Sequence, residues 1–146
     1  MTVQSLHHVS VVVDDLEEAT AFFTALGLEL EGRAPIEGTW VDRINGLDGI
    51  RVDIAMMRTP RGQGRLELTK FHSPAAVGEG SGPAPSNTLG LRSIMFEVDD
   101  VDATAETAVA HGGELMGEIV DYEDVYRLCY VRGPEGIIIA LSQDLR

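Results

Sequence analysis

Leu6-His7-His8-Val9-Ser10-Val11-Val12-Val13-Asp14-Asp15 and Leu91-Arg92-Ser93-Ile94-Met95-Phe96-Glu97-Val98-Asp99-Asp100 fall on one another when the chain is slid along itself by 85 positions. The match runs on: Ala25 meets Ala110, Gly27 meets Gly112, and Glu29-Leu30 meets Glu114-Leu115. Strand, helix and following turn recur in one register, which marks an internal duplication. Each copy opens with a run rich in β-branched residues, Val9 to Val13 and Ile94 to Val98, which reads as a strand. The strand ends at an Asp-Asp pair, either member of which can cap a helix by accepting from its free N–H groups. Leu16, Ala19, Phe22, Phe23 and Leu26 then follow at helical spacing up to a stop at Gly27, as Val101, Ala105, Ala108 and Val109 do up to Gly112-Gly113.

Three shorter strand candidates follow each helix. Turns are expected at Asn45-Gly46, Asp48-Gly49 and Arg61-Gly62-Gln63-Gly64 in the first half, and at Gly133-Pro134-Glu135-Gly136 in the second. The order is therefore β-α-β-β-β, twice. Met57-Arg58-Thr59-Pro60 matches Val131-Arg132-Gly133-Pro134, and Glu67-Leu68 matches Ala140-Leu141 after a gap of one residue. The stretch from His72 to Gly90, rich in Pro, Gly, Ser and Ala, reads as a linker expected to be mobile in its middle. This gives one domain over residues 1–146, with module one at 1–72, a linker at 73–90 and module two at 91–146.

At 146 residues with 44% apolar content, the chain suits one packed domain. It has no apolar run of membrane-spanning length and no signal-peptide h-region at the N-terminus, so the expectation is a cytoplasmic protein that does not engage membranes. A net charge of -13 repels phosphate backbones and anionic lipid, which argues against nucleic acid as a partner. The lone Cys129, in Leu128-Cys129-Tyr130-Val131, excludes an internal disulfide and reads as a small buried hydrophobe in a strand.

Alternation separates the faces of the first strand of each half. Val9, Val11 and Val13, with Ile94, Phe96 and Val98, are uniformly apolar and should pack under the helices. Leu6, His8, Ser10 and Val12, with Leu91, Ser93, Met95 and Glu97, form a mixed face suited to lining a cavity.

Leu6-His7-His8-Val9 with Val13-Asp14-Asp15, Arg65-Leu66-Glu67-Leu68, Val98-Asp99-Asp100-Val101-Asp102 and Gly133 to Leu141, in this order and spacing, resemble the vicinal oxygen chelate superfamily. That group includes glyoxalase I, methylmalonyl-CoA epimerase, extradiol dioxygenases, fosfomycin-resistance enzymes and bleomycin-binding proteins. The resemblance spans essentially the whole chain. It implies an α+β fold of two βαβββ modules whose sheets form a half-barrel around a cleft, and a homodimer. In metal-containing members each half supplies one ligand from its first strand and one from its last. His8 and Glu67 match the first pair, whereas the second pair falls on Ser93 and Ala140, of which alanine has no donor atom and a neutral hydroxyl is a poor ligand. A third ligand could come from His72, from Glu97 or from a dimer partner, and a standard four-ligand glyoxalase I is the reading the residues argue against.

Two functions remain open on the sequence. In one, His8 and Glu67 anchor a divalent metal that polarises vicinal oxygens of a small substrate, Glu67 or a neighbour moves a proton, and lyase, isomerase or dioxygenase chemistry follows. In the other there is no metal: the protein binds or sequesters a small oxygenated molecule, as resistance proteins do, and His8 is a pocket histidine while Glu67 pairs with an arginine. Met56, Ser93, Met95, Tyr122 and Tyr130 are the candidate substrate-binding residues in both, because adaptable methionines and tyrosines that join an apolar body to a hydroxyl suit a ligand pocket. His7 is expected on the strand face opposite His8, and His111 at a helix C-terminus has an adequate structural explanation.

Overall fold

A computed structural model describes residues 2–78 and 83–146, and the chain forms two compact units, Met1–Glu79 and Gly80–Arg146. In the first, β1 (Val9–Val12), α1 (Leu16–Ala25), β2 (Glu29–Glu37), α2 (Thr39–Asn45), β3 (Arg51–Arg58) and β4 (Arg65–Ser73) follow in order. The sheet runs β1-β4-β3-β2, with β1 parallel to β4 and the remaining pairs antiparallel. The second unit holds β5 (Ser93–Glu97), α3 (Val101–Ala110), β6 (Glu114–Leu115), β7 (Val120–Tyr122), β8 (Tyr126–Arg132) and β9 (Ile138–Asp144). Its sheet runs β5-β9-β8-β6, with β7 also on β8, and β5 is again parallel to β9. The α+β duplication expected from the repeat is thus present, one sheet and one crossing helix per copy.

Local chemistry explains each copy. Val11 and Val13 are buried while Val12 is exposed, so strand alternation sends one set beneath α1. The second aspartate of each pair is the cap: the Asp15 carboxylate accepts from the Glu18 N–H at 2.9 Å and that of Asp100 from the Ala103 N–H at 3.0 Å. Gly27 and Gly112 end the helices in the left-handed region, at φ of 112° and 94°. α1 lies against β3 and β4 and buries Leu16, Ala19, Phe22 and Phe23; α3 lies against β8 and β9 and buries Val101, Ala105 and Ala108. Cys129 is buried in β8, where burial, helped by Asp102, raises the pKa of its thiol.

Three details depart from the simple duplication. The segment expected only to turn at Asn45-Gly46 is preceded by a two-turn helix, α2, which ends at Gly46 in the left-handed conformation and buries Val41 against Ile50 and Val52. Ile36, Ile54 and Phe71 complete this small core. In the second unit the strand after the helix is split into β6 and β7, and the Met116 N–H still donates to the Tyr130 carbonyl at 2.9 Å. The expected linker begins inside β4, which extends to Ser73, and its middle, residues 79–82, lies outside the described residues. At its far end the Arg132 guanidinium donates to the carbonyls of Ala84 and Gly136, at 2.7 and 2.9 Å. Among the described residues no helix is long and apolar enough to cross a membrane.

Candidate functional site

Glu67 is the centre of a small polar cluster on the face of the first sheet turned away from α1. The register sets Ser10 of β1 on one side of it and Met56 of β3 on the other. Leu66 and Leu68, its neighbours in β4, point the opposite way into the core. Both the Ser10 hydroxyl and the buried Thr69 hydroxyl donate to Glu67 Oε1 at 3.1 Å. With one oxygen so held, Oε2 faces His8 Nε2 at 3.5 Å, the two side chains being 22% and 30% exposed. That separation is too long for a hydrogen bond.

His8 stands just ahead of β1, and on its other side its Nδ1 lies 2.7 Å from Nδ1 of His7, the rings meeting edge to face. The expectation that His7 would sit on the opposite face fails because β1 starts only at Val9, so strict alternation does not extend back to residue 7. Met56 joins the cluster as a half-buried neighbour of Glu67 in the cross-strand row.

The expected auxiliary donors divide. His72 occupies the irregular step between the Val52–Phe71 and Arg51–Ser73 pairs, and its Nε2 lies 2.8 Å from Asp53 Oδ2. Asp53 shares the α1 side of the sheet with Lys70, so His72 is turned from Glu67 and is excluded as its third partner. An open groove of about 560 Å³ on that side is lined by Asp14, Glu17, Arg33, Asp53, Lys70 and His72, among others. Its charges pair with one another: Arg33 with Glu17, Lys70 with Asp14, His72 with Asp53.

In the second sheet Ala140 has Met95 of β5 on one side and Tyr130 of β8 on the other, the places that Ser10 and Met56 take around Glu67. Ala140 therefore fills the carboxylate position with a methyl group. Ser93 and Glu97 share the face of Met95, and Leu128 and Tyr126 that of Tyr130; Tyr122 stands directly across from Tyr126. Ser93, Met95, Tyr122 and Tyr130 thus lie on one side of one sheet, all at least partly exposed. The Arg146 guanidinium covers the Tyr126 ring at 5.3 Å and donates to its hydroxyl at 3.1 Å.

Arg127, part of the same tyrosine-rich stretch, faces the other way. It donates to both oxygens of Asp121, at 2.8 and 3.2 Å, and to Asp102 at the start of α3 at 2.8 Å. This guanidinium holds the Asp121 carboxyl below the usual carboxylate range.

As a metal centre the cluster offers a suitable but short donor set. Two ligands about 2.1 Å from one ion at a near-tetrahedral angle would be roughly 3.4 Å apart, close to the 3.5 Å observed between His8 and Glu67. Yet among the described residues no three His, Cys, Asp or Glu side chains are grouped to hold an ion. Ser10 and Thr69 were not singled out as partners of Glu67; the signal for Thr69 was its place two residues along the same strand, whereas Ser10 arrives through a pairing 57 residues distant.

The pattern defining the Glyoxalase/Bleomycin resistance protein/Dioxygenase superfamily matches residues 5–141. The chain belongs to this superfamily. A glyoxalase family protein from Bacillus cereus is 45% identical in sequence and superposes with a TM-score of 0.94, over 100% of this chain and 97% of that one. The uncharacterised protein YaeR of Escherichia coli is 25% identical over 141 residues, 96% of each chain. The fosfomycin resistance protein FosX of Listeria monocytogenes, solved with Mn(II) and sulfate, shares the glyoxalase fold at 16% identity and a TM-score of 0.61, over 97% of this chain and 93% of its own. His8 and Glu67 lie in the first module, and the positions that match them in the second hold Ser93 and Ala140.

Proposed function

We propose that this superfamily member binds a small oxygenated organic molecule and holds one divalent metal ion between His8 Nε2 and Glu67 Oε2, in the service of lyase or isomerase chemistry. The observation that carries the reading is the clasp on Glu67. Two hydroxyls hold Oε1 and leave Oε2 opposed to an imidazole nitrogen, 3.5 Å away with no hydrogen bond between them. With His8 neutral and its Nε2 unprotonated, these two atoms are both electron-rich, and a cation shared between them would stabilise the arrangement. FosX, which has the same fold, was solved with Mn(II).

When bound, the ion would supply Lewis-acid polarisation of substrate oxygens. The remaining roles fall to the chain. Ser10 and Thr69 orient Glu67, and when Oε2 is not engaged with the ion it can take a proton from a carbon acidified by an adjacent carbonyl. In the first unit Met56, beside Glu67, contacts the apolar part of the molecule; in the second unit Ser93, Met95, Tyr122 and Tyr130 by themselves make a face of hydroxyls and apolar surface suited to a ligand of the same kind.

The alanine at position 140 favours a second reading, a metal-free binding or sequestering protein, because it removes a donor where the duplication would place one. Elemental analysis of purified protein and of the His8→Ala and Glu67→Ala variants separates the two. Near-stoichiometric divalent metal in the wild type and its loss in both variants is the expected result; no metal in the wild type, after incubation with Mn(II) or Zn(II), would sink the first reading. The protein is further expected to be a homodimer, so sedimentation should give twice the 15.8 kDa chain mass.

A further inference from the structure

His7 has no assigned part in this cluster, yet its geometry gives it one. Its Nδ1 lies 2.7 Å from His8 Nδ1, a hydrogen-bonding distance at which one nitrogen must carry the proton and the other the lone pair. With both rings neutral, two arrangements satisfy that bond. If His7 donates, His8 carries its own proton on Nε2, facing the Glu67 carboxylate. If His8 donates, its Nε2 faces Glu67 as a bare lone pair.

The distance on the far side of the ring discriminates. An N–H aimed at a carboxylate oxygen closes to about 2.7–2.9 Å. His8 Nε2 and Glu67 Oε2 stay 3.5 Å apart, although His8 is partly exposed and, among the described residues, the hydroxyls that hold Glu67 do so through its other oxygen. The gap is that of two acceptors. We propose that His7 is a positioning residue: it accepts the Nδ1 proton of His8 and so fixes the tautomer in which His8 Nε2 presents its lone pair toward Glu67 Oε2.

Free imidazoles of histidine favour the opposite tautomer, so an outer partner that selects this one raises the basicity and defines the direction of the ligating nitrogen. His7 would then complete a three-part frame: Ser10 and Thr69 fix one side of Glu67, and His7 fixes the far side of His8. The inference rests on the proposed metal reading for its purpose, but the tautomer itself can be read in metal-free protein.

The test is long-range proton–nitrogen correlation NMR on metal-free, nitrogen-15-labelled wild type and on His7→Ala and His7→Asn. In the wild type His8 should show a protonated Nδ1 and an unprotonated Nε2. His7→Ala should reverse this, and His7→Asn, whose amide oxygen can accept the same proton, should restore it. Calorimetric titration with Zn(II) should follow the tautomer, with affinity falling about 10- to 100-fold in His7→Ala and recovering most of that in His7→Asn. A wild-type His8 protonated on Nε2, or a tautomer unchanged in His7→Ala, overturns the proposal. Failure of the wild type to bind Zn(II) while the tautomer responds as stated overturns the metal reading and leaves the positioning role of His7 standing.

Discussion

At the scale of single residues, Glu67 shows how a carboxylate acquires a direction. Left alone on a strand it would rotate freely; with Oε1 accepting from Ser10 and Thr69 it offers one oxygen, at one angle, to His8. Thr69→Val keeps the shape of a buried side chain and removes one of the two hydroxyls. On the proposed metal reading, calorimetric titration should show divalent metal binding weakened about tenfold or more, with the fold intact by circular dichroism. Asp121 makes a second residue-level case. Arg127 lowers its pKa, chiefly by hydrogen bonding, so the pair stabilises the fold at neutral pH and that contribution fades as pH falls through the lowered value. The melting temperature of Asp121→Asn should therefore lie below that of the wild type at pH 7, and the difference should vanish in strong acid. His8 and Glu67 were legible from the motifs, but the clasp was not: Ser10 and Glu67 are 57 positions apart and meet only through the β1–β4 register.

At the scale of elements, the helix boundaries follow from short-range chemistry. Either aspartate of each Asp-Asp pair could have capped, and the structure selects the second, because only there does the carboxylate reach the N–H three residues on. Asp15→Ala and Asp100→Ala should each cost about 1 kcal/mol in chemical denaturation. Gly113 is a different kind of helix-end residue. A Cβ there would lie 2.8 Å from the Ala108 carbonyl oxygen and 3.0 Å from that of Arg132, both backbone atoms that cannot swing aside. Gly113→Ala should destabilise the protein by about 1–3 kcal/mol in the same measurement. Helix α2 escaped the sequence because it has two turns, a glycine at either end and no side-chain cap; it is held by Val41 settling on Ile50 and Val52 rather than by its own propensity. The placing of His72 could have been anticipated from alternation along β4, which sets it on the side away from Glu67, and Asp53 then captures it.

At the scale of the molecule, each unit carries its own apolar interior, around Phe23, Met57 and Leu68 in the first and Val101, Val131 and Ile139 in the second. Leu68→Ala empties a fully buried site one residue from Glu67 but on the opposite side of the sheet, and should cost about 2–5 kcal/mol in denaturant titration. If the polar cluster is held by its own hydrogen bonds, that variant should retain metal affinity under conditions where it stays folded. The sequence by itself determined the duplicated βαβββ order, the inward valines of β1, the capped helix starts and the loss of a donor at position 140, because each depends on periodicity or on chemistry within a few residues. Only the tertiary structure decided which oxygen of Glu67 faces His8, that His7 reaches His8, that His72 turns to Asp53 and that Arg127 leaves the tyrosines. Those outcomes depend on strand register and on where β1 begins, and register is set by packing between segments far apart in the chain.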